Sequence, residues 1–485
     1  MSRITLLLVL GTVLLAASLG CDSGEAVDAG MDTGPSRDAG RDAEIRPDGA
    51  MDAGPETDAA SDTGTDAASD AGTDAASDAG PPSPSFDDRV AALSDPAATT
   101  EDLDALIHEV TWAEGWPVTD GSRWLFATRW DAAPAEVVLV SDINTWDSAR
   151  APATRAASGV HYWAVVAEAT FDAPAAGAKY KWRGLPDINR APPEARAYGF
   201  DTFGEFGYVA PPTSEAWRER FDGFASAHLE ERRAFRALLP AGFAHADAAR
   251  VLFLHDGQNV FHPDSIWGGW RVDEALAAAG YEDVVVLTVD NAGDRMDAYT
   301  HVVDDIGGGA IGGRAEDYAG LVFDEALPFF RAHYGLRASR DDLVIGGSSL
   351  GGLVSLYFAL TRPAEMRCVI AMSSSLGWGA IAASATGADA LVNRWTTHGT
   401  VAVYLDSGGG GTCSDTDGDG VQEDSADSDD YCTTTQLRDH LDGLGYTFGT
   451  DLAHWWESGA AHNEAAWAAR MPNALSSCVA AGWAP

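Results

Sequence analysis

A chain of 485 residues, 46% of them hydrophobic, is long enough for two domains with sizeable cores and a linker. Its formal net charge of −43 counts against nucleic acid as a partner, because phosphates are repelled. Part of that charge lies in an Asp-rich N-terminal tail, and arginine supplies almost all the positive charge, since Lys179 and Lys181 are the two lysines of the chain.

Residues 2–20 read as a targeting segment: Arg3 gives a positive start, and Ile4 to Ala17 is an apolar run too short to span a bilayer comfortably. Ser18-Leu19-Gly20-Cys21 follows and resembles a bacterial lipoprotein signal, with Ser18 where that pattern usually has Leu. The resemblance implies removal of residues 1–20 and lipidation of Cys21, so that the only membrane contact is a lipid anchor; the other reading is plain secretion. Either way the expected location is outside the cytoplasm, in the cell envelope or beyond, where disulfides form.

Residues 22–85 are a low-complexity Asp/Ala/Gly-rich stretch with few large apolar side chains. Such a segment buries too little to offset its chain entropy and is expected to be a disordered, self-repelling tether. Residues 86–215 are expected to form a lead-in, a small β-sandwich and a linker. Leu103, Leu106 and Ile107 at helical spacing predict a helical lead-in over 86–115. Short apolar runs then predict strands at Arg123–Arg129, Glu136–Val140, Tyr162–Ala167 and Lys179–Trp182. Residues 185–215, rich in Pro, Gly and aromatics, read as the linker.

Asp142 to Trp146, Gly159 to Trp163 and Lys179 to Trp182 together resemble the immunoglobulin-like domain of glycogen- and starch-binding modules. That domain type also precedes the hydrolase of enterochelin esterases. The resemblance implies a possible polysaccharide contact. Trp146, Trp163 and Trp182 either stack on sugar rings or fill the core of a thin sandwich.

Over residues 216–485 strand and helix patterns alternate, which predicts a parallel sheet covered by helices on both faces. Strands are expected at Ala234–Leu239, Val251–Leu254, Val284–Val289, Leu343–Ile345, Cys368–Met372 and Val401–Leu405, and helices at Ala315–Tyr334 and Leu353–Leu360. Within this region Gly347-Ser348-Ser349-Leu350-Gly351 fits G-x-S-x-G, the nucleophile elbow of α/β-hydrolases, with a strand before it and a helix after. Ser349 is therefore the candidate nucleophile.

A serine hydroxyl needs a base near neutral pH, and the fold's chain order is Ser, then Asp or Glu, then His. His462, ahead of a C-terminal helical segment, is the candidate base. For the acid, Asp406 ends a buried strand run, where catalytic groups collect in parallel sheets, and Asp415 is its rival a few residues on. The oxyanion hole is expected from the N–H groups of Leu350 and Gln258.

His255-Asp256-Gly257-Gln258-Asn259, Val286 to Asn291 with Arg295 and Tyr299, Gly347 to Gly352 with Tyr357, and His462-Asn463-Glu464 with Trp467 and Arg470 occur in one order. These four blocks resemble the putative-esterase family, which includes enterochelin esterases, feruloyl esterases and S-formylglutathione hydrolases. The resemblance spans about residues 230–475. It implies an α/β-hydrolase acting on an ester, with Ser349 and His462 as nucleophile and base and no cofactor for catalysis. The family often has Gly-x-x-Asp/Glu after its last strand; here Gly408 to Gly411 and an insertion intervene.

That insertion begins Asp415-Thr416-Asp417-Gly418-Asp419-Gly420, a D-x-D-x-D-G pattern whose alternate carboxylates suit one hard cation. A structural Ca²⁺ is expected on Asp415, Asp417 and Asp419, with Glu423 and Asp427 as further ligands. A disulfide between Cys413 and Cys432 would staple the loop, leaving Cys368 and Cys478 as a second bridge or two buried thiols. Trp267 and Trp270 either line an acyl pocket or pack. Two other readings stand beside the ester hydrolase: acyl transfer on the same fold, and a non-catalytic surface protein that binds carbohydrate.

Overall fold

The computed structural model describes residues 84–131, 134, 136–149, 151–167, 176–185, 188–244, 249–261, 265, 268–382, 385–424 and 428–483. The targeting segment with Cys21, the tether up to residue 83, Trp267 and Asp427 lie outside the described residues. Residues from Ala79 onward belong to one compact unit.

Six strands lie parallel at one end of a long sheet, and all but the edge strand Leu452–Trp456 read as near-continuous apolar runs. Their order is Leu452–Trp456, Ala402–Ser407, Cys368–Met372, Leu343–Ser348, Arg250–Leu254 and Val284–Val289. Burial on both faces explains the lack of alternation in the inner strands, since helices cover each side, whereas the edge strand leaves Trp455 and Trp456 exposed. The helix Leu350–Thr361 carries Leu353, Val354, Leu356 and Phe358, all fully buried, each contributing about 1.5–3 kcal/mol of burial. On the opposite face Glu464–Ala480 buries Trp467, Met471, Leu475 and Cys478, at helical spacing. Cys478 is disulfide-bonded to Cys368, so the bridge alternative holds and ties this helix to the sheet. Ala315 to Tyr334 runs as one helical stretch with a π-helical turn at Leu321–Ala326.

The sheet does not stop at the expected domain boundary. Arg233–Leu239 pairs antiparallel with Val284–Val289, and the order continues through Trp217–Phe224, Ala197–Asp201, Gly204–Tyr208, Lys179–Gly184 and Val137–Ser141. With Ile188–Arg190 at the side of Lys179–Gly184, the sheet has thirteen strands among the described residues. A four-stranded antiparallel sheet, ordered Val118–Thr119, Arg123–Arg129, His161–Ala167 and Thr154–Arg155, faces its far end. Phe126, Leu139, Tyr162, Tyr180 and Trp182 fill the space between. The sandwich is thus built partly from the sheet that also serves the hydrolase.

The linker expectation for 185–215 fails for a packing reason. Its glycines sit within strands where aromatics need room, and a Cβ on Gly207 would stand 2.6 Å from the Tyr180 ring. The tryptophans divide: Trp182 is fully buried and Trp163 packs partly buried on the lead-in helices, while Trp146 remains 39% exposed. The lead-in forms two capped helices, Phe86–Ser94 and Thr100–Ala113. Among the described residues no helix is long and apolar enough to cross a membrane.

Candidate active site

Ser349 stands between the strand Leu343–Ser348 and the helix Leu350–Thr361, with φ 56° and ψ −125°. A non-glycine residue at positive φ is strained, and such a turn lifts the side chain clear of the sheet. The turn closes only because its neighbours lack side chains: a Cβ on Gly347 would meet the Gly351 carbonyl carbon at 2.6 Å. The Ser349 hydroxyl opens on a cleft of about 330 Å³ that also receives His462, Asp256, Arg295, Glu464 and Trp467.

His462 lies in the loop before the Glu464–Ala480 helix, whose start is fixed by Asn463 accepting Ala466 N–H at 3.0 Å. The Trp467 ring meets its imidazole edge to face, 5.1 Å between centroids. Nδ1 of His462 lies 2.7 Å from Asp429 Oδ1 and 3.6 Å from Asp430 Oδ2. Burial lowers the basicity of this imidazole, but the Asp429 hydrogen bond and the two carboxylate charges outweigh it and raise the pKa above its ordinary value.

The carboxylate that meets His462 is therefore Asp429, and neither Asp406 nor Asp415 does so. Asp406 is fully buried within the strand Ala402–Ser407 and faces Arg470 at 3.1 Å, with the Tyr404 hydroxyl donating to it at 3.1 Å. Burial pushes its pKa up to about 6 against the pull of Arg470. Asp415 is spent on its own loop, accepting Gly418 N–H at 2.7 Å and Gly420 N–H at 2.9 Å. Asp429 is fastened on its other side. Its Oδ2 accepts Ser373 Oγ–H at 2.8 Å and the Gly408 N–H, and Arg470 stands 3.6 Å away. Ser373 in turn accepts from Arg470 at 2.7 Å and from the Trp467 indole at 3.0 Å.

Asp429 reaches this place at the end of the 413–432 insertion, just before the helix Tyr431–Gly443. It and Asp430 both have positive φ, at 52° and 55°. Cys413 and Cys432 are disulfide-bonded, as expected, and fix the insertion's two ends together. The one signal in the sequence was the Asp429-Asp430 pair, separated from Cys432 by Tyr431 and standing before a helical run, in a stretch where Asp is too common for it to stand out.

The two expected oxyanion donors start helical turns, where an N–H has no partner within the turn. Leu350 opens the helix after Ser349, and Gln258 lies in the short turn Gly257–Asn259. The Gln258 side chain accepts Asn291 N–H at 3.1 Å. Asp256, at φ 58°, is held by Arg295 through two bonds of 2.8 Å and by Asn291 at 2.5 Å. Burial raises the Asp256 pKa, yet the Arg295 charge and these bonds prevail and keep it below the ordinary carboxylate value. His255 is no second base: burial drops its pKa to about 3, and Nδ1 lies 2.8 Å from the Tyr318 hydroxyl. Trp270 is buried, lines the cleft and packs on Trp467, which bears out the packing role.

In the acidic loop Asp415, Asp417 and Asp419 each offer an oxygen within 4.8 Å of the others. Glu423 is not part of that group; its carboxylate accepts the Thr416 N–H at 2.8 Å.

Residues 226–477, slightly more than half of the chain, match the sequence profile of the putative esterase family. The chain belongs to that family. It is a carboxylic ester hydrolase. No curated protein matches the chain. Among solved structures this esterase is similar to a ferulic acid esterase, at 14% identity over 55% of this chain and 99% of that one, with a TM-score of 0.41. It is similar to the enterobactin esterase of Shigella flexneri solved in the presence of enterobactin, at 14% identity over 75% and 95% of the two chains, with a TM-score of 0.41. An IroE-like serine hydrolase from Shewanella oneidensis is similar at 16% identity over 52% and 77%, with a TM-score of 0.38.

Proposed function

We propose that this esterase is an exported serine hydrolase that works through an acyl-enzyme. Ser349 Oγ attacks the ester carbonyl while His462 takes its proton and later delivers it to the leaving alkoxide. Asp429 holds the imidazole by Nδ1 and balances the imidazolium. The N–H groups of Leu350 and Gln258 receive the oxyanion. Water, activated by the same imidazole, then releases the acid and frees Ser349. The observation that carries this reading is the 2.7 Å contact of Asp429 with a histidine that shares one cleft with a serine on a strained elbow.

Export is supported by the targeting segment of the sequence and by two disulfides, which persist outside the cytoplasm. Cys21 would carry the lipid anchor. Calcium takes six to eight oxygens, and the clustered Asp415, Asp417 and Asp419 fit the beginning of such a shell. An ion there would be structural, stiffening the insertion that delivers Asp429.

The test is hydrolysis of p-nitrophenyl acetate and butyrate by the chain beside Ser349→Ala, with calcium and with chelator. The expected outcome is turnover by the parent and a loss of about 10³-fold or more in the variant. A further fall with chelator is expected if the acidic loop holds calcium. Equal inertness of parent and variant on a folded sample sinks the acyl-enzyme reading.

A further inference from the structure

The charges that line the ester cleft do not all have partners. Asp256 and Arg295 hold each other through two bonds of 2.8 Å, and His462 is held by Asp429. Glu464 lines the same cleft, and among the described residues it has no ion-pair partner. Its carboxylate accepts Asn259 Nδ2–H at 3.2 Å, and the residue is only 7% exposed. Burial pushes its pKa up, and the Asp256 charge adds to that. An ionised carboxyl taken out of water is costly unless an opposite charge meets it. An acid in the first turn of a helix suits the helix dipole wherever its side chain points. Here it faces the cleft, two residues after His462.

Two indoles stand with this carboxylate. Trp270 and Trp467 line the cleft with their ring centroids 5.9 Å apart, and both are buried. The Trp467 N–H is engaged elsewhere, donating to Ser373 at 3.0 Å, so that ring offers a ligand carbon and π-surface. Aromatic rings attract a cation through their quadrupole, and a carboxylate beside them supplies the opposite charge. The surroundings have the same sign. Asp430 stands 3.6 Å from His462 and also lines an adjoining cleft of about 360 Å³ with Asp417, Asp419, Glu423 and Asp424. Among the described residues no lysine or arginine lines that cleft. Walls of one sign concentrate solutes of the other. A calcium ion on the acidic loop would balance two of these charges and leave the sign unchanged.

We infer that the ester cleft takes esters that carry an ammonium group, held by Glu464 together with Trp270 and Trp467. The inference rests on the acyl-enzyme reading for its chemistry and adds the class of substrate. Ser349 attacks the ester carbonyl as before, and the ammonium takes no part in bond making. A neutral ester of the same shape leaves the Glu464 charge unmet. An acidic ester finds no free cation in the cleft, because both Arg295 bonds go to Asp256. A cleft built around an unmet charge discriminates through kcat/KM against an isostere that lacks the opposite charge.

The test compares hydrolysis of choline acetate and butyrate by the full chain with that of 3,3-dimethylbutyl acetate and butyrate, which have the same shape without the charge. Ser349-dependent turnover of p-nitrophenyl acetate is the control for the acyl-enzyme reading. The expected result is a kcat/KM about ten-fold or more higher for the choline esters, with a preference that shrinks as salt is added. In Glu464→Gln the ratio of the two kcat/KM values should fall to about one, and a ratio is insensitive to the fraction of enzyme that is folded. If Glu464→Gln does not fold, inhibition of the parent decides: tetramethylammonium should compete with p-nitrophenyl acetate, and neutral tert-butanol should not. A parent that hydrolyses p-nitrophenyl acetate through Ser349 yet treats charged and neutral esters alike overturns the inference and leaves the acyl-enzyme reading intact. A preference that survives Glu464→Gln overturns the assignment to Glu464. Absence of Ser349-dependent turnover overturns the acyl-enzyme reading itself, and calorimetry with tetramethylammonium then tests the cation site alone, no binding overturning it.

Discussion

Asp429 and Asp406 share one buried guanidinium, Arg470, yet only Asp429 touches His462. This separates their expected effects. Asp429→Asn should lower kcat by about 10³–10⁴-fold, because the amide no longer selects and stabilises the right imidazole form. Asp406→Asn removes one partner of a buried ion pair and should cost about 3–5 kcal/mol of stability, with a far smaller loss of kcat in the folded fraction. Steady-state kinetics beside urea unfolding checks both; loss of activity in the Asp406 variant alone would return the acid role to Asp406. The pH profile follows from the same contacts. On the proposed mechanism His462 must be neutral to accept the serine proton, and its pKa is raised, so kcat/KM should climb with pH through an apparent pKa above 6.5. In Asp429→Asn that rising limb should move to lower pH. Ser349 and His462 were legible in the sequence because each sits in a local pattern, an elbow in one case and a loop before a helix in the other. Asp429 was not, because its partner is distant in sequence and its one local mark, the pairing with Asp430, does not stand out among the many acids of the insertion.

At the scale of elements, the insertion 413–432 is a device for delivering a carboxylate. It leaves the strand Ala402–Ser407, is closed by Cys413–Cys432, and returns with two consecutive residues at positive φ. The second of these, Asp430, is under the greater strain of charge. Burial, with Asp424 and Asp429 nearby, pushes its pKa up to about 8 despite His462. A folded-state pKa above the unfolded value means that the native state holds a proton the unfolded chain has lost. Stability from this group therefore falls as pH rises from about 4 to about 8. Asp430→Asn should be more stable than the parent at pH 8 to 9 and indistinguishable from it near pH 4. Thermal unfolding across that range measures this, and a stability gap that does not grow with pH would refute it. Strands such as Trp217–Phe224 escaped the sequence reading because their polar positions are Arg and Glu residues that pair within the fold, as Arg220 does with Glu205 at 2.8 Å.

At the scale of the whole molecule, the division expected near residue 215 does not correspond to a physical break. Trp217–Phe224 lies between strands of both regions in one sheet. The lead-in helix Thr100–Ala113 also crosses over: its Trp112 packs on Phe221, Phe224, Phe235 and Phe329, and its indole N–H donates to the Asp222 main-chain carbonyl at 2.7 Å. Arg196, from the segment read as linker, reaches back to the Thr111 and Trp112 carbonyls. Phe206 and Tyr208 belong to the same hydrophobic core as Leu353 and Phe358 on the helix after Ser349. Cutting the chain at residue 216 would uncover this core and leave Trp217–Phe224 as an open sheet edge, a template for aggregation. Residues 79–485 should therefore unfold in a single calorimetric transition, and residues 216–485 alone should aggregate on size-exclusion chromatography. Two resolved transitions, or a monomeric and active 216–485 fragment, would show instead that the hydrolase carries its own complete core and that the shared sheet is only an adhesion between independent domains.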